Sequence, residues 1–290
     1  MENKPRGDEL AFQTRICGLN IGGQNPPLVM GVLNLSPESF YKKSVQDNNS
    51  LLAAAQKMVD DGASLIDVGA RSTAPNVVPI TVEEEKKRLL FALDILRDNI
   101  SVPISVDTMY AEIAAAALHR GASMINDISG LKNDPEMAAV IGDFDACAIL
   151  MATQKKPGDP LGVNAVLSAL SNSISIAESA GIDSQKIVLD PGIGHWVPEK
   201  TSAYDFDLIH HFERLSVFEK PVLVAVSRKS FLGDATQKPP EGRLISGVVA
   251  ASIAAYKGGH IIRTHDVAET MDAVKIVHSI LTKKPDVKKV

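Results

Sequence analysis

Eight short apolar runs alternate with amphipathic segments along this chain, and that alternation limits the folds open to it more than any other feature. The runs are LVMGVL (28–33), LIDVG (65–69), VPISVD (102–107), SMIND (123–127), ACAILM (146–151), KIVLDP (186–191), PVLVAVS (221–227) and HIIRTH (260–265). Each is rich in Val and Ile and nearly continuous, which is how a parallel strand covered on both faces reads. Between them lie Ala-rich stretches at helical period, among them VEEEKKRLLFALDILRD (82–98), YAEIAAAALHRGA (110–122) and ISGVVAASIAAYKGG (245–259). Several close on Gly, as helix C-termini do. Strand and helix alternating eight times predict an α/β chain folded as a (β/α)8 TIM barrel, a single domain over 28–283. A doubly wound open sheet is the alternative, but no G-x-G-x-x-G follows the first run. Residues 1–27 are expected to carry a short hairpin, near 10–24, that closes the lower mouth of the barrel. The Lys-rich end, 284–290, reads as a disordered tail.

Charge narrows the partners. The formal net charge is −5 with no long block of either sign, so the basic patch of a nucleic-acid binder is missing. An anionic substrate must then be gripped by a few locally placed cations. The two cysteines, Cys17 and Cys147, lie far apart in apolar surroundings, which suits a reduced compartment, with Cys147 read as core. MENKPRGDEL has no apolar centre of a signal peptide, and no run approaches a membrane-spanning length. A cytoplasmic protein with no membrane partner is expected.

In a barrel of this kind the C-terminal strand ends share one mouth, where active sites sit. Those ends carry Asn34, Asp67, Asp107, Asn126, Met151, Asp190, Lys229, and Arg263 with His265. One polar strand end is ordinary; six or more converging on a rim make a site. The run VAVSRKS (224–230) places Arg228 and Lys229 on that rim.

The stretches MGVLNLSPESF (30–40), DVGARSTAP (67–75), ISVDT (104–108), INDISG (125–130), LDPGIG (189–194), SRKSFLG (227–233) and IIRTHDV (261–267) resemble the dihydropteroate synthases, in family order. That resemblance implies a magnesium-dependent enzyme joining 6-hydroxymethyl-7,8-dihydropterin pyrophosphate to p-aminobenzoate or a related aromatic amine, with release of pyrophosphate. It implies that Asp190 binds the aminopyrimidine edge, that Asn126 and Asp107 complete the pterin pocket, and that Lys229 donates to the ring. It further implies that Ser230 and Thr73 contact substrate, that Arg263 stacks on the pterin, and that Arg263, His265 and Asn34 hold the pyrophosphate, Asn34 also serving the metal. Taken without the resemblance, each has an alternative: a turn residue before Pro191-Gly192 for Asp190, and a helix N-cap for Asp107. A homodimer is implied too, and the apolar faces of 243–258 and 267–281 are compatible with one.

The chain departs from the family pattern at four places. Phe40 is followed by Tyr41-Lys42-Lys43-Ser44 where the family has S-D-G-G, and Ser72-Thr73-Ala74-Pro75-Asn76 stands where it has S-T-R-P-G. Ile193-Gly194-His195-Trp196 replaces a segment with F-G-F, and Met151-Ala152-Thr153-Gln154 replaces M-H-M-Q. These changes fall on the acceptor side. They raise as alternatives a methanopterin-pathway synthase using ribofuranosylaminobenzene phosphate, with Lys42 and Lys43 reaching its phosphate, and a non-catalytic pterin-binding protein. A pterin-binding methyltransferase is a further alternative, but it has no pyrophosphate to bind and so no use for the rim cations.

Overall fold

The computed structural model describes residues 12–35, 48–71 and 80–283. A short antiparallel hairpin, β1 (Gln13–Ile16) and β2 (Leu19–Gly22), precedes eight parallel strands. These are β3 (Leu28–Asn34), β4 (Leu65–Gly69), β5 (Ile104–Asp107), β6 (Met124–Asp127), β7 (Cys147–Met151), β8 (Ile187–Asp190), β9 (Leu223–Val224) and β10 (Ile261–Thr264). Their order is β8-β7-β6-β5-β4-β3-β10-β9. A parallel bridge between Leu189 and Val222, with Leu189 N–H donating to Pro221 O at 2.9 Å, joins the two ends into a barrel. The expected (β/α)8 architecture and its hairpin are both present.

The helices of the described residues are α1 (Asn48–Asp60), α2 (Val82–Leu96), α3 (Ala111–His119), α4 (Met137–Asp143), α5 (Val163–Ser179), α6 (Ser202–His210), α7 (Ser230–Thr236), α8 (Leu244–Tyr256) and α9 (Val267–Thr282). The start of α2 is marked in the sequence: Thr81 caps the Glu84 N–H at 3.2 Å, and Glu83, Glu84 and Glu85 fill the positive first turn. By contrast α4, α6 and α7 are of 7, 9 and 7 residues, too short for a helical period to stand out. The seventh barrel strand is also shorter than its apolar run: of 221–227 only Leu223 and Val224 form a ladder. Pro221 has no N–H to give, and the chain turns out of the sheet before Arg228, whose φ is 58°.

Two apolar cores follow from the strand alternation. Residues pointing outward meet the helices in one large cluster, and residues pointing inward fill the lower barrel with a second. Met30, Leu65, Met124, Val188 and Ile261 belong to this inner cluster, and Ile16 and Ile21 of the hairpin pack into it from below. The hairpin is therefore a plug, and the barrel floor is dry. Climbing two residues along β4, β6, β8 and β10 changes the chemistry, because the next inward positions are Asp67, Asn126, Asp190 and Arg263.

Ile21 is 1% exposed, so Ile21→Ala removes buried methyl groups from the plug and leaves a cavity. We expect a loss of about 2–5 kcal/mol in urea unfolding, with pterin affinity at the opposite mouth unchanged. Unaltered stability would show that the hairpin only rests on the barrel.

Candidate active site

The site is built on Arg263. Its Nε donates to Asp67 Oδ2 at 2.7 Å, and its Nη2 lies 2.7 Å from the same oxygen and 3.3 Å from Asp107 Oδ2. Asn126 Nδ2 donates to Asp67 Oδ2 at 3.1 Å. One fully buried carboxylate on β4 thus gathers groups from β6 and β10, with Asp107 of β5 completing the ring around the guanidinium. Asp67 Oδ1, Ser105 Oγ and Asn126 Oδ1 are buried without a partner. Orphaned polar atoms are rare inside proteins, and three at one level below the mouth mark a place built to receive polar groups.

Asp107 is pushed up to about 7, first by burial and then by the charge of Asp67, with Arg263 opposing both. Its side chain caps no helix. The first turn of α3 is served instead by Asp134, whose Oδ2 accepts from Ala111 N–H at 2.9 Å, so the N-cap alternative for Asp107 falls. Thr108 donates to Glu85 Oε1 at 2.8 Å, and Arg71 Nε donates to Glu85 Oε2 at 2.8 Å. This buried glutamate ties the end of β4 to α2 and β5. No sequence signal singled it out.

Asp190 and Lys229 face each other across the seam of the barrel. Asp190 is 5% exposed, and its Oδ1 accepts from Gly192 N–H at 2.7 Å. Burial raises its pKa, while Lys229 and the Gly192 N–H pull it back. Lys229 Nζ donates to Ile193 O and lies 5.3 Å from the centre of the Trp196 ring, a cation–π contact. Gly194 makes room for it: at φ 127° this position favours glycine, and a Cβ there would come within 3.0 Å of the lysine stem. Trp196 in turn lies on Gly158, where a Cβ would meet the indole at 2.2 Å.

The loop after β8 is fixed from behind by a buried pair. Lys200, 2% exposed, donates to Gly192 O at 2.5 Å and lies 3.7 Å from Asp205 Oδ1, which accepts from Gly194 N–H at 2.8 Å. Two backbone glycines of the Asp190 loop are held by this pair. Burial lowers Lys200 and raises Asp205, and each partner opposes the shift of the other. Sequence reasoning missed Lys200, Asp205 and Trp196, all of which follow the Asp-Pro-Gly turn. The signal available was a Lys and an Asp five residues apart on either side of the start of α6.

Arg228 and Lys229 diverge. The left-handed backbone at Arg228 turns its guanidinium outward, where Nη2 and Nε meet Asp266 at 2.5 Å and 3.2 Å, while Lys229 enters the mouth. Arg228 thus staples the rim to the start of α9. Beside it, His265 Nδ1 lies 3.1 Å from Ser227 Oγ and its Nε2 lies 3.2 Å from Asn34 Nδ2. With that Asn34 orientation the amide donates to Nε2, so the ring proton sits on Nδ1 and is donated to Ser227. Crowding at the rim, then the charges of Arg263 and Arg228, push His265 down to about 4. The ring is neutral at pH 7.

The structure therefore brings together Asn34, Asp107, Asn126, Asp190, Lys229, Arg263 and His265. Ser230 lies exposed at the first position of α7, as its place after the strand implied. Asp67, read from the sequence only as a strand end, is the centre of the polar layer. Thr73 lies outside the described residues, as do Lys42, Lys43, Ala74 and Asn76. His195 is exposed on the β8 loop.

Comparison with known proteins places this barrel, with its buried acid–amide–guanidinium layer, among the pterin-binding enzymes. Residues 30–265 match the family described as pterin binding enzyme, and the chain belongs to that family. Among its relatives, the dihydropteroate synthase of Bacillus subtilis is 37% identical over 257 residues, covering 88% of this chain and 89% of that one. The Escherichia coli K12 dihydropteroate synthase is 35% identical and covers 89% and 93%. The structure of the Xanthomonas albilineans dihydropteroate synthase with 4-aminobenzoic acid superposes with a TM-score of 0.84 at 32% identity, over 94% of this chain and 99% of that one. The Coxiella burnetii dihydropteroate synthase in complex with pteroic acid superposes with a TM-score of 0.82 at 33% identity, over 93% and 99%.

Lys229 makes a pH test of the site. Burial pushes it down to about 8 from the ordinary 10.5, with Arg263 adding to the shift and Asp190 opposing it. Between these values the unfolded chain holds a proton that the folded chain has released, so this group makes stability rise with pH across that window. Urea unfolding measured from about pH 8 to about pH 10 is expected to show a steeper rise for the unaltered protein than for Lys229→Met. Parallel curves would place the lysine in solvent.

Proposed function

We propose that this chain catalyses the dihydropteroate synthase reaction, condensing 6-hydroxymethyl-7,8-dihydropterin pyrophosphate with p-aminobenzoate and releasing pyrophosphate. The observation that carries the reading is the convergence of Asp107, Asn126, Asp190, Lys229 and Arg263 at one barrel mouth. The synthases among its relatives, one of them solved with 4-aminobenzoic acid, favour this reading over the methyltransferase and over a phosphorylated acceptor. The loop changes that motivated the phosphorylated acceptor, at Lys42, Lys43, Ala74 and Asn76, lie outside the described residues.

Each residue has a task that its surroundings fit. Asp190, held by one backbone N–H, takes the paired donors of the aminopyrimidine edge. Asn126 Oδ1, without a partner in the lumen, accepts from a ring N–H. Lys229 exchanges the Ile193 carbonyl for the pterin carbonyl and a ring nitrogen. Arg263 is already neutralised by Asp67 and Asp107, so it offers the pterin a planar face. Asn34, His265 and Ser227 line the rim where pyrophosphate leaves, and Ser230 and Thr73 serve the acceptor. The methylene C–O bond breaks toward pyrophosphate while the aniline nitrogen bonds to the same carbon and gives up a proton. No protein nucleophile is needed.

A magnesium ion fits this rim only as one shared with substrate. Among the described residues no three His, Cys, Asp or Glu converge on a metal position, so the Asn34 side-chain oxygen would be the protein's ligand and the substrate's pyrophosphate would have to supply others. Bound there, the ion would neutralise charge developing on the leaving group.

The single tryptophan of the chain, Trp196, touches Lys229 and so reports on the pocket by fluorescence. Asp190→Asn is expected to weaken pterin binding about tenfold or more, because a lost charge-assisted pair is worth roughly 1.5–3 kcal/mol. In the same titration His265→Ala is expected to weaken the pyrophosphate ester more than the bare pterin, Arg263→Ala to weaken both, and magnesium to tighten only the ester. Product mass with p-aminobenzoate completes the test. Unchanged pterin affinity in Asp190→Asn, or no pteroate formed, sinks the reading.

A second copy of the chain is the partner that fits the outer surface, and the cytoplasm the setting. Ile245, Val249 and Ile253 recur at four-residue spacing along α8, and Ile276 and Ile280 along the adjoining α9, all exposed. An apolar row on two adjoining helices is the kind of surface that a second copy would cover. Sedimentation is expected to give a dimer that Val249→Glu converts to monomer.

A further inference from the structure

The two cysteines, 130 positions apart in the sequence (147 − 17), meet at the barrel floor. Cys17 sits at the turn of the hairpin with a φ of 48°, and Cys147 opens β7. Cys17 Sγ donates to Ser123 O at 3.4 Å, and Cys147 N–H donates to that same carbonyl at 3.2 Å. Cys147 belongs to the inner apolar cluster against which Cys17 packs. Both residues thus close on one carbonyl, which brings the two thiols into the same neighbourhood, near enough for each to bear on the ionisation of the other. None of this takes part in pterin chemistry, which occupies the opposite mouth.

We propose that Cys17 and Cys147 are an oxidation site that closes to an intramolecular disulfide, fastening the hairpin plug to the barrel. The fold supplies what such a bond needs. One thiol is reachable, since Cys17 is only partly buried, and the other is buried beside it. The neighbouring thiol pushes Cys17 up and Cys147 down, with the Lys186 ammonium helping the second. Lys186 is itself placed by Asp145, at 2.5 Å. A lowered thiol beside a cation is the better attacking group.

With oxidised glutathione as the oxidant the exchange balances. Cys17 loses its proton and attacks one glutathione sulfur, the glutathione S–S bond breaks, and one glutathione thiolate leaves. Cys147 then gives up its proton and attacks the Cys17 sulfur of the mixed disulfide, expelling the second glutathione. Two electrons pass from the two cysteines to the glutathione disulfide, which departs as two thiols. The first step is slow, because Cys17 is the poorer thiolate. The second is fast, because Cys147 waits beside the same Ser123 carbonyl, so the mixed disulfide does not accumulate.

A cross-link over so long a stretch restricts the unfolded chain, and it joins the plug to a strand of the barrel wall. The test is to incubate the full-length protein in glutathione buffers graded from reducing to oxidising, quench with acid, count free thiols, and map peptides by mass. The expected result is a monomeric product lacking both thiols, with the peptides of Cys17 and Cys147 joined, and a thermal midpoint raised by about 5–10 °C over the reduced protein. Cys147→Ala is expected to stop at a glutathione adduct on Cys17, and Cys17→Ser to leave Cys147 unreacted. Free thiols across the whole series, accumulation of the adduct in the unaltered protein, or a cross-link between two chains would overturn the proposal. A disulfide that forms without raising the midpoint would overturn the fastening role.

Discussion

A single guanidinium organises the upper half of this barrel. Arg263 enters from β10 and is shared by Asp67 of β4 and Asp107 of β5, while Asn126 of β6 holds Asp67 from the far side. Burying such groups is expensive, and the attraction between them offsets the loss of water only when their geometry is fixed. The strands supply that fixity, because alternation along each of them directs these side chains inward at matching heights. The cluster therefore adds little net stability and a great deal of definition: it allows one arrangement of the lumen and penalises the rest. Every group above it, including the ring-binding residues, is set on this polar layer in the way the layer is set on the dry floor.

The fold was legible because its signal is repeated. Eight Val- and Ile-rich runs, each followed by a helical stretch, leave few topologies, and Ile16 and Ile21 fit a hairpin meant to be buried on one side. The rim was legible for the same reason, since a polar residue ending an apolar run is easily seen. Asn34, Asp107, Asn126, Asp190, Lys229, Arg263 and His265 all lie at such ends, and the structure brings them together.

What the sequence hid depends on partners distant along the chain. Asp67 looks like one more strand end, but its weight comes from three strands converging on one oxygen. Lys200 and Asp205 read as ordinary surface charges, and only folding shows them nearly or fully buried beneath the Asp190 loop. Trp196 sits in a segment that departs from the family pattern, and its contact with Lys229 arises through a left-handed turn at Arg228 that no composition rule signals. The cysteines are hidden for the same reason: a shared place at the Ser123 carbonyl leaves no trace in a sequence that sets them so far apart.

The barrel wall is not uniform. Most neighbouring strands share ladders of three to five registered pairs, but β9 is tied to β10 by two and to β8 by one bridge at Leu189 and Val222. Asp190 follows one side of that thin stretch and Lys229 the other, whereas Asp67, Asp107, Asn126 and Arg263 lie on the well-laddered arc. The ring-binding pair thus straddles the thinnest ladder of the wall, so the gap between Asp190 and Lys229 is set less by strand pairing than by the Lys200–Asp205 pair behind the Asp190 loop and the Arg228–Asp266 pair at the rim.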